Sequence, residues 1–428
     1  MKKHIGFIST RFAGTDGVTL EASKWASILN SQGHECFWFA GVSDRNSRRS
    51  MVVPEAHFQH ERNHWINERI LGRKNRLPEV TDAIHDMRAF LKHRLREFIK
   101  AFELELLIVE NALAIPMHLP LGLAITEIIA ETRIPTIAHH HDFYWERTRY
   151  SVNAVGDYLR MAFPPPLYNI EHVVINTPAQ EELAHRKGLS SVVIPNVLDF
   201  ENPPAVDREA TRHFRQSVGL AADDLMILQP TRVVARKGIE HAINLVKELN
   251  APRYKLVISH EAGDEGQEYA EWLKETAKSN GVELFLAPMH ISDPIHLPDD
   301  EPLPSTGGYS LWDVYPHADL ITYPSLYEGF GNAFLEAVYF KKPLLINRYA
   351  IFVKDIEPLG FDLIQMDGYL TRKNIRQVKE VLESPEKRRQ MTETNYQIAK
   401  RHYSYAVLRN QLNYLLHLFF GINSIPAV

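Results

Sequence analysis

Short apolar runs alternate with stretches of helical periodicity along the whole chain. Residues 5–9 read as a strand, a turn containing Gly14, Asp16 and Gly17 follows, and apolar positions over 20–30 recur at helix spacing up to Gly33. Further apolar runs at 35–40, 106–109, 136–138 and 172–176, with helix-like stretches between them, predict a doubly wound parallel sheet. The pattern closes at Ile194-Pro195-Asn196-Val197-Leu198, and Pro203 and Pro204 continue neither regular element, so a first domain is expected over 1–198. A second alternation, with strands expected at 226–229, 255–259, 282–287, 319–323 and 343–347, predicts a second α/β domain over 199–400. Helical patterns at 375–401 and 405–420 end the chain, and 401–428 is expected to pack back on the first domain. The Pro-, Asp- and Gly-rich stretch 288–310 is too long for an ordinary connection, and its role stays open.

Composition narrows the partners. With 45% hydrophobic and 24% charged residues in 428, the chain is an ordinary globular one of two or three domains, not a disordered or collagen-like one. The 48 Lys and Arg are outnumbered by 53 Asp and Glu, a poor footprint for nucleic acid. Cys36, the single cysteine, closes no intrachain disulfide, which points to a reducing, cytoplasmic setting. The N-terminal apolar run stops at Arg11 without a cleavage-like site, and the most apolar window, 104–130, carries Glu105, Glu110, Asn111, Pro116, His118, Pro120 and Glu127. Neither a signal peptide nor a membrane span is expected. A basic amphipathic stretch, Arg88, Lys92, Arg94, Arg96 and Lys100 beside Met87, Leu91, Leu95, Phe98 and Phe102, fits a membrane surface, but packing on the sheet is the preferred reading.

Ligands of open α/β sheets sit beyond the carboxyl ends of the strands, so polar residues in those loops carry the chemistry. Arg232, Arg236 and Lys237 fall between the strand at 226–229 and a helix starting near Ile239. Cations beside the positive end of a helix are unfavourable unless an anion joins them, which suggests a phosphate or diphosphate; a solvated basic loop is the plain alternative. Glu328, Gly329, Phe330, Gly331, Asn332 and Glu336 follow the strand at 319–323. The glycines let backbone amides approach a ligand, and two carboxylates eight residues apart can accept hydrogen bonds from a polyhydroxyl one.

Glu328 to Glu336 resembles the E-x7-E segment of the retaining GT-B glycosyltransferases of family four, the glycosyl transferases group 1, and Arg232 with Lys237 resembles that group's R-x4-K phosphate clamp. Ile194-Pro195-Asn196, Leu320 to Ser325 and Glu336-Ala337 are similar to the group's phrases in the same order, so the resemblance spans nearly the whole chain. It implies two Rossmann-like domains facing across a cleft. Arg232 and Lys237 would neutralise the leaving diphosphate of a nucleotide-sugar, UDP being the group's commonest nucleotide, Glu336 would accept the ribose hydroxyls, and Glu328 would meet the donor sugar. Amides around Phe330, Gly331 and Asn332 would add donors.

In the triplet His139-His140-His141 the resemblance makes His141, before Asp142, the histidine that contacts the donor sugar, with His140 a substitute. Neighbouring strand side chains alternate faces, so three consecutive histidines do not share one metal, and no metal or other cofactor is expected. Gly14 and Gly17 resemble the glycine loop over the diphosphate and acceptor, although the family often has its glycines adjacent; the spacing is also not a dinucleotide fingerprint. Arg147 and Arg149, with Arg11 and Arg160, suggest a phosphorylated or carboxylated acceptor, as sucrose-phosphate synthase-type and glycerate-type members of the group would use. The expected reaction is hexosyl transfer from a nucleotide-sugar to a small acceptor with retention of configuration. A nucleotide-sugar 2-epimerase and a silent sugar-nucleotide-binding subunit are the alternatives.

Overall fold

The computed structural model describes residues 2–14, 16–203, 213–259, 267–286 and 309–421. Thr15, Pro204 and the part of the Pro- and Asp-rich stretch at 288–308 lie outside the described residues. Contacts divide the chain into two compact units, one of residues up to Pro195 together with those from Leu408 on, the other of residues from Asn196 to Val407.

The first unit is built on seven parallel strands: β1 His4–Ile8, β2 Glu35–Ala40, β3 Ser50–Val52, β4 Leu106–Glu110, β5 Thr136–His140, β6 Ile170–Val174 and β7 Val192–Val193, in the order β3-β2-β1-β4-β5-β6-β7. Strand β4 is buried at every position, as expected of a parallel strand covered on both faces by helices. The order reverses between β1 and β4, which makes their carboxyl ends the switch point of this sheet. Strand β6 begins two residues before the expected 172–176, because the polar pair Glu171-His172 sits inside the strand and His172 finds a buried partner in His140.

Helix α1, Gly17–Ser31, is capped by Asp16, whose carboxylate accepts from the amides of Val18 and Thr19. Helix α2, Pro78–Ala101, buries Val80, Ile84, Met87, Leu91, Leu95 and Phe98, each worth about 1.5–3 kcal/mol on burial. Three of its five cations meet α3, Leu119–Thr132: Lys92 lies 2.7 Å from Glu127 and 2.8 Å from Glu131, Arg88 pairs with Glu127 and Arg96 with Glu131, while Arg94 pairs with Glu97 of its own helix. Protein carboxylates thus occupy the basic face that the sequence alone left open to a bilayer. No helix among the described residues is long and apolar enough to cross a membrane.

The second unit carries six parallel strands: β8 Leu225–Gln229, β9 Tyr254–Ile258, β10 Leu284–Leu286, β11 Leu320–Tyr323, β12 Leu344–Asn347 and β13 Ile364–Met366, in the order β10-β9-β8-β11-β12-β13, with its switch point between β8 and β11. Helices α4, Ile239–Leu249, and α5, Asn332–Tyr339, follow β8 and β11. The single helical pattern read at 375–401 is two helices, Arg372–Glu383 and Pro385–His402. Pro385 cannot donate to the earlier turn, and Ser384 caps the second helix by accepting from the Lys387 amide. In the first unit, the part of the helix Tyr405–Phe420 from Leu408 on is fixed by Gln32 Nε2 donating to Asn413 Oδ1 at 2.7 Å, and the Lys3 ammonium lies 4.2 Å from the Phe420 ring centroid.

Candidate active site

Beyond β8 and β11 two loops are pressed together. Gly238 has φ +60°, and a Cβ there would fall 2.6 Å from the Pro324 carbonyl oxygen, so only glycine lets the loop after β8 lie against the loop after β11. The Leu326 amide donates to the Arg236 carbonyl at 2.9 Å across the same junction. This places the Lys237 ammonium on Glu328 Oε1, with Arg236 Nη1 3.4 Å from Glu328 Oε2 and 3.1 Å from the Tyr327 carbonyl. Lys237 and Glu328 are both buried. Burial lowers the Lys237 pKa, with Glu328 opposing it. Burial would raise the Glu328 carboxyl, but Lys237, then Ser325 and Arg236, outweigh it and hold it below its usual value.

Arg232 is exposed, and among the described residues its side chain makes no hydrogen bond or ion pair. The cluster therefore holds three cations against one carboxylate, an imbalance that an anion would relieve. Beneath it, Thr322 donates to Gln229 Oε1 at 2.8 Å and Gln229 to Thr231 Oγ1 at 2.8 Å, a buried polar relay that pins the ends of β8 and β11.

The loop from Glu328 ends at Gly331, which takes φ +122°. A Cβ there would meet the Tyr349 hydroxyl at 2.3 Å, and that hydroxyl donates to the Phe330 carbonyl at 2.7 Å. Gly331 is the N-cap of α5, so the first amides of the helix, which have no partner within it, begin beside the cation cluster. Gly329 and Phe330 lie between Glu328 and this cap, and Phe330 is buried against Tyr403. Asn332 Oδ1 accepts from Asn196 Nδ2 at 2.7 Å, and Glu336 Oε2, one turn further, accepts from the Tyr315 hydroxyl at 2.8 Å. Asn347 Nδ2 donates to the Ser325 carbonyl at 3.0 Å and braces the loop from β12. Tyr315, Tyr349 and Asn347 support the segment from outside it, and no spacing rule in the sequence singled them out.

Beside the switch point of the first sheet, the ends of β4 and β5 carry a second polar cluster. Strand alternation turns His140 to one side, where its Nε2 lies 2.9 Å from His172 Nδ1, and turns His139 and His141 to the other. Glu110, directly opposite His139 in the register of β4 and β5, is fully buried, and its Oε2 lies 3.0 Å from His139 Nδ1 and 3.3 Å from His141 Nε2. Burial would raise the Glu110 carboxyl, but the two histidines hold it down to about 2. Burial would lower the His141 pKa; Glu110 reverses this and raises it. Asn111 accepts from the His141 amide at 3.0 Å and donates to Asp142 at 2.9 Å, and the Trp25 indole of α1 stacks on His139 with centroids 4.3 Å apart. Sequence reasoning passed over Glu110; its signal was a lone carboxylate closing an apolar run.

Gly14, at φ +78°, donates its amide to Asp44 at 2.9 Å, while Gly17 is already the first residue of α1. The four arginines are not brought together. Arg11 pairs with Asp16 at 2.8 Å and lines a small cavity of about 110 Å³ that Glu110, Asn111 and Phe58 also line. Arg149 lies over the Tyr150 ring and lines an open groove of about 640 Å³ that shares Phe58 and Met117 with that cavity. Arg147 is paired with Asp142, and Arg160, in the last turn of the helix Gly156–Ala162, lines neither space.

Two parallel Rossmann-like sheets, the second carrying a cation cluster and a glycine-capped helix at its switch point, define a glycosyltransferase of the GT-B type that uses nucleotide-sugars. Residues 306–398 match the family described as glycosyl transferases group 1. Mannosylglucosylglycerate synthase of Petrotoga mobilis is 34% identical over 85% of this chain and 86% of its own length, and that of Thermotoga maritima is 31% identical over 96% and 98%. The chain belongs to this family of hexosyltransferases. The sucrose-phosphate synthase of Thermosynechococcus elongatus shares the fold, with a TM-score of 0.64 at 13% identity over 98% of this chain and 99% of that one.

Proposed function

We propose that the chain transfers a hexose, with retention of configuration, from a UDP-sugar to a hydroxyl of a small glycerate-bearing acceptor. The carrying observation is the cation excess beyond β8 and β11: Arg232 unpaired among the described residues, Lys237 and Arg236 gathered on Glu328, and α5 starting at Gly331 beside them. As the bond to the anomeric carbon breaks, negative charge grows on the departing diphosphate. Arg232, Lys237 and the first amides of α5 are placed to stabilise it without reorganising. Glu328 keeps Lys237 charged in its buried position. Glu336, held by Tyr315, accepts from the ribose hydroxyls, and His141 contacts the donor sugar.

The glycerate-bearing acceptor is suggested by the named products of the two synthases and belongs in the first unit, where Arg11 and Arg149 offer cations to a carboxylate. Arg147, neutralised by Asp142, and Arg160, which lines neither space, carry less of that role.

The test is a melting-temperature series with UDP, GDP, ADP and their sugar conjugates, followed by product analysis with and without glycerate and hexosylglycerate. One nucleotide should raise the melting temperature, by about 2.7 kcal/mol of stabilisation at a hundred times its Kd. A new glycoside should form only when acceptor is present. Absence of any shift in folded protein would end the transferase reading, and a sugar released or epimerised without acceptor would replace it with the epimerase.

A further inference from the structure

His139 is buried and stacked on Trp25 with its Nδ1 3.0 Å from Glu110 Oε2, yet its Nε2 and Glu110 Oε1 make no hydrogen bond among the described residues. Buried polar atoms without partners are costly, and each requires an explanation. The separations supply one. Two donors 2.0–2.2 Å from one ion at the angles of a tetrahedral or octahedral site stand about 3.0–3.5 Å apart. Glu110 Oε2 stands 3.0 Å from His139 Nδ1 and 3.3 Å from His141 Nε2, and all three ligand atoms fall within 4.8 Å of one another.

We propose that Glu110, His139 and His141 bind one divalent cation of the zinc, cobalt or manganese class. Two imidazoles and one carboxylate are a donor set suited to those ions. Consecutive strand residues do not share an ion, but His139 near the end of β5 and His141 one residue past it turn to the same side, and Glu110 on β4 lies opposite His139 in register. The proposal goes beyond glycosyl transfer and needs neither donor nor acceptor to be present.

Full-length protein stripped with a chelator should be titrated with Co²⁺ and Zn²⁺ by calorimetry, and the Co²⁺ complex read by its visible ligand-field absorption. One equivalent per chain, with a ligand-field band that Zn²⁺ displaces, is the expected result. Glu110→Gln and His139→Gln, checked by their melting curves, should each weaken binding by more than the roughly 10- to 100-fold that changes behind a metal's ligands cost. Absence of saturable binding to wild-type protein overturns the proposal, and so does wild-type affinity in the His139→Gln/His141→Gln double variant. The wild-type titration decides even if a variant fails to fold. Nucleotide-induced melting shifts report on the second unit separately, so failure of this proposal and failure of the transferase reading are distinguishable.

Discussion

Both sheets gather polar side chains at or beside their switch points, but they treat buried charge in opposite ways. Beyond β8 and β11 a single carboxylate, Glu328, faces Lys237 and Arg236, with Arg232 left over, and the residues ride on loops shaped by Gly238 and Gly331. At the ends of β4 and β5 a single carboxylate, Glu110, meets two imidazoles; Glu110 and His139 lie on the strands and His141 one residue past β5. A loop cluster can keep surplus charge exposed until an anion arrives. A strand-end cluster whose carboxylate is fully buried has to balance its charge internally or with an ion.

The comparison breaks first at the cations. Arg232→Ala and Lys237→Ala should each lower turnover by about 10²–10³, the range for removing one preorganised donor, with melting curves that show a folded protein. Unchanged turnover in both would mean that the excess charge serves no leaving group. Glu328→Gln comes next, because it leaves Lys237 buried without a counter-charge. Denaturant unfolding should read a loss of about 3 kcal/mol, the lower end for breaking a buried pair.

The same pair sets a pH signature. The Glu328 carboxyl is lowered on folding, so its contribution to stability is complete above its unfolded value near 4.5 and is lost as pH falls through the folded one. Wild-type protein should therefore lose stability on acidification more steeply than Glu328→Gln, and parallel pH curves would contradict the pairing.

Gly331→Ala sharpens the role of loop shape. At φ +122° and 2.3 Å from the Tyr349 hydroxyl, an added Cβ should cost about 1–3 kcal/mol in unfolding measurements. A neutral effect would show that the cap relaxes freely. The smallest effect belongs to the surface of the first unit. Glu127→Gln, which frees Arg88 and leaves Lys92 only Glu131, should change stability by about 1 kcal/mol or less, because partly exposed ion pairs are screened. A larger loss would move the α2–α3 contact from apolar packing to charge.

The contrast also explains what was readable in the residues. Arg232, Lys237, Glu328 and Glu336 lie in two contiguous segments, so their spacing shows in the sequence. The Glu110 cluster joins residues about thirty apart on adjacent strands, and the strand register that makes them neighbours is a tertiary fact. The break at Ser384-Pro385 was present in the letters but hidden by an apolar periodicity that runs across both helices.

By itself the sequence determined the alternation of strands and helices, the two parallel sheets and the loop motifs of the second one, because burial on both strand faces and local turn chemistry are written residue by residue. Only the tertiary structure decided that Lys237 is buried against Glu328, that Arg232 is left exposed beside them, that the basic face of α2 meets Glu127 and Glu131, and that His139 and His141 converge on Glu110. Each of these depends on which residues, distant in the chain, are brought within a few ångströms, and charge interactions at that range are set by distance and burial rather than by residue type.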